Sequence, residues 1–138
     1  MRFLIEGNPI PAARPRVTKN GTYNPKKKEL EALSWEIEEQ ILKNNYRYLP
    51  SSGPISMSIT FFMPIPKGNS KKRRNEIKGK PHTKRCDLDN LVKFLCDSMN
   101  GIIFKDDSQV YCIDATKLWS ENPRTQISII NVDRIGYE

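Results

Sequence analysis

The stretch "KRCDLDNLVKFLCDSMNGIIFKDDSQV", residues 84–110, combines a helix signature with two closely spaced pairs of acidic residues. Asp87 stands at the position of a helix N-cap, and Gly101 is typical of the residue just beyond a helix end. Between them, apolar residues recur at the spacing of one helix face, namely Leu88, Leu91, Leu95 and Met99. The stretch therefore predicts a helix with carboxylates beside both of its ends.

On either side of this helix, the sequence shows strand signals. "MRFLIEG" predicts an opening strand, and "PISMSITFFMP" (54–64) has the period-two alternation of a strand with one buried face. "QVYCIDATKLW" (109–119) and "RTQISIINV" (124–132) predict two further strands. The segment "NPIPAARPRVTKNGTYNP" (8–25) is too rich in Pro and Gly for a continuous helix or a central strand.

A second helix is expected directly after that segment, with Asn24 as its cap and Pro25 in its first turn. Its apolar residues at helical spacing are Leu30, Leu33, Ile37 and Ile41. The predicted order is strand, helix, strand, basic loop, helix, strand, strand. This order favours an α+β fold in which a small mixed β-sheet has helices packed on it, as one domain over residues 1–138.

The composition limits the classes of protein to which this chain can belong. The chain has 138 residues, of which 37% are hydrophobic and 28% charged, which suits a domain with a real core. No apolar run approaches the ~20 residues of a membrane helix, and the first residues lack a secretory signal, so we expect a soluble, cytoplasmic protein without a membrane partner. Three cysteines in no metal or disulfide pattern indicate reduced thiols. With a single histidine, His82, any metal chemistry falls to carboxylates.

The positive charge is concentrated in one segment. Residues 67–85 contain nine Lys and Arg against one Glu, or +8, whereas the whole chain carries +7. We expect a basic loop here. One interpretation is a solvated or disordered loop, and the other is a surface that binds phosphates.

The acidic residues suggest a metal site. Converging carboxylates repel each other unless a cation lies between them, and Asp87 and Asp89 are candidates, because a cap residue can turn its side chain back toward the helix. Asp106 and Asp107, at the start of the next strand, can supply a third carboxylate. Oxygen ligands favour Mg²⁺, with Mn²⁺ as an alternative, and these ions support phosphodiester hydrolysis.

Each residue also has an ordinary structural explanation. Asp87 can be a simple cap, and the acidic pair before the strand can be a turn. Lys93, four residues after Asp89, can reach a phosphate or form a surface ion pair with Asp89 or Asp97. Only the combination of acids with the upstream basic segment favours a site that binds a polyanion and holds a hydrolytic metal.

Three motifs together resemble the RusA-like Holliday-junction resolvases of bacteria and their phages. They are "DLDNLVK" (87–93), "DSMNG" (97–101) and "KDDSQV" (105–110), and the similarity also covers the opening strand and the loop with "TYNP". The resemblance implies a homodimeric, Mg²⁺-dependent endodeoxyribonuclease that resolves four-way DNA junctions by paired symmetric nicks. The alternative is a non-catalytic nucleic-acid-binding protein, such as an inactive prophage relic, whose acids are caps and turn residues.

Carried over position by position, the resemblance implies that Asp87, Asp89 and Asp107 bind the metal and act in catalysis with Lys93. Asp106 and Asn90 are expected as supporting residues. The basic residues expected to contact DNA phosphates are Arg14, Arg16, Lys71, Lys72, Arg73, Arg74, Lys84 and Arg85. His82 is either a solvated loop histidine or a phosphate contact.

Overall fold

The computed structural model describes residues 1–132 and shows an α+β fold, as the sequence predicts. Its strands are β1 (Arg2–Glu6), β2 (Arg16–Thr18), β3 (Gly21–Tyr23), β4 (Ile55–Pro64), β5 (Val110–Ser120) and β6 (Arg124–Asn131). Its helices are α1 (Lys27–Lys43), α2 (Lys71–Ile77), α3 (Leu88–Met99) and a short 3₁₀ helix (Asp107–Gln109).

Four strands form a mixed sheet in the order β1-β6-β4-β5. β4 pairs parallel with β5 and antiparallel with β6, and β6 pairs antiparallel with β1. Alternate residues of β4 from Ile55 to Met63 are buried, and Ile59 lies opposite Ile127 of β6, which is also buried. The alternation read from the sequence therefore marks the apolar face of the sheet correctly.

Helices α1 and α3 cover this apolar face. Ile37 of α1 and Met99 of α3 are fully buried in the same core, and the Ser34 hydroxyl of α1 donates to the Ser98 carbonyl of α3 at 2.8 Å. Helix α1 begins at Lys27, later than predicted, because the Asn24 side chain accepts a hydrogen bond from Lys26 N and so stabilises a preceding turn.

The segment 67–85 differs from the predicted basic loop, because it contains helix α2. The Ser70 side chain accepts a hydrogen bond from Arg73 N, which caps a run of residues without Gly or Pro. The chain then returns to the sheet edge, where His82 N donates to Lys117 O at 3.0 Å and Trp119 N donates to Lys80 O at 2.9 Å. The basic segment is therefore largely ordered by backbone hydrogen bonds.

Strands β2 and β3 form a hairpin that the sequence analysis did not predict. Its turn consists of Lys19 and Asn20, and Gly21, the first residue of β3, has φ of +120°, a conformation that favours glycine. Every residue of the two strands is exposed, including Val17 at 81%. The hairpin therefore projects from the domain, where its basic residues face solvent.

Two further expectations concern the whole chain. Within residues 1–132, no helix combines the length and apolar character needed to cross a membrane. Cys86, Cys96 and Cys112 are all free thiols, as expected.

Candidate functional site

The start of α3 presents two carboxylates without partners. Asp87 occupies the N-cap position, yet its side chain makes no capping hydrogen bond, and Asp89 lies in the first turn. Both residues are exposed, and neither carboxylate forms a hydrogen bond or ion pair within residues 1–132. The structure therefore gives no capping role to the Asp87 side chain, which remains available to a ligand.

The second acidic pair divides into two different roles. Asp106 accepts a hydrogen bond from Ser108 N at 3.1 Å and caps the 3₁₀ helix. Hydrogen bonding from the Ser108 side chain, followed by that from its backbone N–H, lowers the pKa of the Asp106 carboxyl. Asp107 is exposed, and its carboxylate has no hydrogen-bond or ion-pair partner in the described part of the chain. Asp106 thus supports the local fold, whereas Asp107 is free for another function.

Gln109 holds this acidic turn in place with four hydrogen bonds. Its Oε1 accepts from Lys105 N at 2.9 Å and from Asp106 N at 3.0 Å. Its Nε2 donates to the carbonyl oxygens of Ser51 and Gly53, both at 2.9 Å. In the sequence, Gln109 is recognisable only as part of a motif, because nothing local identifies contacts made more than 50 positions away.

The three candidate metal ligands are not grouped together within one chain. Residues 1–132 contain no group of three His, Cys, Asp or Glu side chains placed to hold a metal ion. Near the other end of α3, burial raises the pKa of the Cys96 thiol to about 11, with a further contribution from the negative charge of Asp107.

The other two predicted residues of α3 have identifiable contacts. Lys93 Nζ lies 3.4 Å from Asp97 Oδ2 in an ion pair, and its side chain is 64% exposed. Such an exposed pair is weak, so Lys93 can exchange Asp97 for a phosphate at little cost. The Asn90 carbonyl accepts from Ala12 N at 2.9 Å, which ties the segment before the β2–β3 hairpin to the first turn of α3.

His82 is buried at 6% exposure, so it is not a solvated loop histidine. Its ring lies 4.2 Å from the Trp119 ring, and its Nδ1 has no hydrogen-bond partner in the described chain. Burial, followed by the positive charge of Lys117, lowers the pKa of His82. A buried, neutral ring of this kind suits packing of the segment before α3 more than direct contact with a phosphate.

The predicted DNA-binding residues are mostly exposed cations. Those with exposed side chains are Arg14, Arg16, Lys71, Lys72, Arg73, Lys84 and Arg85. Arg74 differs, because it is half-buried, forms an ion pair with Glu121 at 3.3 Å and donates to Pro66 O at 3.1 Å. It therefore attaches α2 to the rest of the domain.

Comparison with known proteins assigns the family. The family model described as endodeoxyribonuclease RusA matches residues 6–130. An uncharacterized protein of Bacillus subtilis, YqaN, is 34% identical over 141 residues and covers 96% of both chains. A crossover junction endodeoxyribonuclease, rusA, of Lactococcus phage r1t is 35% identical over 101 residues and covers 72% of both chains. On these matches, the chain belongs to the endodeoxyribonuclease RusA family.

Proposed function

We propose that this protein is a Mg²⁺-dependent endodeoxyribonuclease that resolves four-way DNA junctions by paired, symmetric nicks. The observation that carries the proposal is the pair of unpartnered carboxylates, Asp87 and Asp89, at the start of α3 in a chain of net charge +7. Family membership and the name of the phage relative support the reaction and the substrate. The protein would act in the cytoplasm, in recombination and repair of host or prophage DNA.

The ligand chemistry fits a hard divalent cation. Asp87, Asp89 and Asp107 offer carboxylate oxygens, which Mg²⁺ and Mn²⁺ prefer, and none of the three is neutralised by a Lys or Arg within residues 1–132. When bound, such an ion activates water and stabilises charge on the scissile phosphate. Cys86 and Cys96 are not required, since thiolates favour softer metals.

The residues of the chain itself bind and orient the DNA. In this proposal, Lys93 stabilises charge on a phosphate oxygen, at the expense of its exposed ion pair with Asp97. Residues 7–28 contain six Lys and Arg and no acid, and the contact between Ala12 and Asn90 holds this segment against α3. The exposed cations of 7–28 and of α2 give two surfaces for the phosphates of a branched DNA.

In this proposal, a homodimer completes the site of three carboxylates. Residues 1–132 of one chain contain no group of three His, Cys, Asp or Glu side chains placed to hold a metal ion. In a two-fold dimer, a second copy can supply its own Asp107 to the Asp87 and Asp89 of the first, and symmetry then gives two equivalent sites. Two sites on one dimer match the two nicks that resolve a junction.

The reaction is tested with a synthetic four-way junction and a linear duplex built from the same sequences. We expect nicking of the junction with Mg²⁺, loss of nicking in EDTA, and little cleavage of the duplex. Equal cleavage of both DNAs would contradict junction selectivity. Tight junction binding without nicking in Mg²⁺ or Mn²⁺ would instead identify a non-catalytic binding protein.

The shared site is tested by mixing two inactive variants, Asp89→Asn and Asp107→Asn. If each site uses carboxylates of both subunits, a mixed dimer contains one intact site, and nicking should return to about a quarter to a half of the wild-type rate. If each site uses one subunit alone, the mixture remains inactive. A mass of twice 16.0 kDa by light scattering checks the dimer independently.

A further inference from the structure

Strand β5 has a lysine at a position that faces the apolar side of the sheet, where an apolar residue is expected. Lys117 lies opposite Phe61 of β4, between Ala115 and Trp119 on the same face of the strand. Phe61 is 2% exposed and belongs to the core. A half-buried ammonium on the apolar face of a sheet is costly unless it is hydrogen-bonded, so its contacts indicate why it is there.

The ammonium of Lys117 binds backbone rather than a carboxylate. Its Nζ donates to the Lys84 carbonyl at 2.9 Å and to the Cys86 carbonyl at 2.6 Å. It forms no ion pair within residues 1–132. Both acceptors belong to the last three residues before Asp87, so Lys117 attaches this turn of backbone directly to the central part of β5.

Backbone and ring contacts extend the same attachment toward the N-terminus. His82 N donates to Lys117 O at 3.0 Å, Trp119 N donates to Lys80 O at 2.9 Å, and Gly79 N donates to Trp119 O at 2.8 Å. The His82 ring also packs on Trp119. The segment 79–86 therefore runs along the edge of β5 and ends at the two Lys117 hydrogen bonds.

The position of Asp87 is therefore fixed by contacts of the preceding segment with β5, and not by contacts of its own side chain. Its side chain makes no capping hydrogen bond, so nothing in its own side chain fixes the start of α3. The nearest charge-assisted restraint is the bond from Lys117 to the Cys86 carbonyl, one residue before Asp87. Small displacements of a reacting group can cost on the order of 100-fold in rate, so such a restraint has a direct effect on catalysis.

We propose that Lys117 is a positioning residue for the carboxylate site, which clamps the Lys84–Cys86 backbone to β5 and so fixes where Asp87 enters α3. The inference rests on the proposed function for its effect on nicking. The clamp itself is a property of the chain and can be measured without metal or DNA. Lys117 does not contact the reacting atoms in this account.

The test compares Lys117→Met, which keeps the length of the side chain but loses the ammonium, with Lys117→Arg, which keeps donors for both carbonyls. Lys43→Met, at the exposed end of α1, is the matched control. We expect Lys117→Met to nick junctions on the order of 10- to 100-fold more slowly with an affinity for junction DNA within about threefold of wild type. Lys117→Arg should recover most of the rate.

The native thiol of Cys86 reports on the clamp independently of activity. We expect alkylation of Cys86, followed by peptide mass spectrometry without Mg²⁺ or DNA, to be about tenfold faster in Lys117→Met than in wild type, because the segment opens more often. Lys43→Met should leave the rate unchanged. If Lys117→Met does not fold, Lys117→Gln, which retains one donor, should show smaller changes in the same direction.

Unchanged Cys86 alkylation or unchanged nicking in Lys117→Met would overturn the proposal. Equal losses in Lys117→Met and Lys117→Arg would also contradict it, since donor chemistry would then be irrelevant. A parallel loss of junction affinity would assign Lys117 to DNA binding instead. If wild type nicks no junction while Cys86 alkylation still responds, the proposed function fails and the clamp stands.

Discussion

From the four hydrogen bonds of Gln109, we can predict how much a substitution at this position lowers the stability of the fold. In Gln109→Glu, the shape of the side chain and its acceptor oxygen remain, so the bonds from Lys105 N and Asp106 N persist. The two bonds donated by Nε2 to Ser51 O and Gly53 O are lost, and a carboxylate oxygen faces both carbonyls instead. The substitution therefore isolates the attachment of the acidic turn to residues 51–53.

The magnitude follows from the number and surroundings of these bonds. Each lost bond is worth about 1 kcal/mol, and Ser51 O keeps a second donor, Lys105 N at 3.2 Å, so we expect the free energy of unfolding to fall by roughly 2 kcal/mol. Ser51 is 3% exposed, so water does not readily replace the lost Nε2 donor there. For a domain of this size, such a loss lowers Tm by roughly 4–8 °C.

The assay is thermal unfolding followed by circular dichroism at neutral pH, with Gln126→Glu as the matched control. Gln126 lies on β6 with an exposed side chain that makes no hydrogen bond in the described structure, so its substitution should change Tm by about 2 °C or less. If Gln109→Glu melts within 2 °C of Gln126→Glu, the hydrogen bonds of Gln109 do not hold the acidic turn, and this account of the site is wrong.

Three further predictions use other parts of the chain. In thiol labelling of the native protein at pH 8, exposed Cys112 should react well before Cys96, because burial raises the pKa of the Cys96 thiol to about 11. The order of labelling is measured from peptide masses, and equal labelling rates of the two thiols would contradict the burial of Cys96. Lys72→Ala should make the slope of log K for junction binding against log salt concentration less steep by about 0.9, because one phosphate contact is lost. The Tm of this variant should be unchanged. Arg74→Ala should instead lower Tm and leave the salt slope nearly unchanged, because Arg74 forms an ion pair with Glu121 and donates hydrogen bonds to backbone carbonyls.

Much of the fold could be predicted because local patterns coincide with burial. The alternation of β4 and the apolar spacing of α3 depend only on neighbouring residues, and both elements lie where the patterns predict. The β2–β3 hairpin could not be predicted, because Pro-rich flanking sequence obscures two strands of three residues each around Lys19 and Asn20. Helix α2 was missed, because its charged sequence has no apolar face to give a periodic signal.

The candidate site was harder to predict because its geometry depends on contacts between distant parts of the chain. The sequence identifies Asp87, Asp89 and Asp107 as a motif, but not that residues 1–132 of one chain lack a three-ligand metal group. Likewise, the contacts of Lys117 with Lys84 and Cys86 span more than 30 positions, and no local pattern indicates them. Motifs identify the residues, whereas contacts between distant segments determine where these residues lie in the fold.

We propose that Asp87, Asp89 and Asp107 are the carboxylates of a metal-dependent nuclease. The most direct measurement is the single-turnover rate of junction nicking in Mg²⁺ by Asp89→Asn and by Asp107→Asn, with junction affinity measured in parallel in EDTA. Glu39→Gln on the exposed face of α1 is the control and should nick at the wild-type rate. We predict that both Asp variants bind the junction as wild type does but nick it more slowly by on the order of 100-fold or more. Nicking by either Asp variant at the wild-type rate would contradict the assignment of that residue to the site.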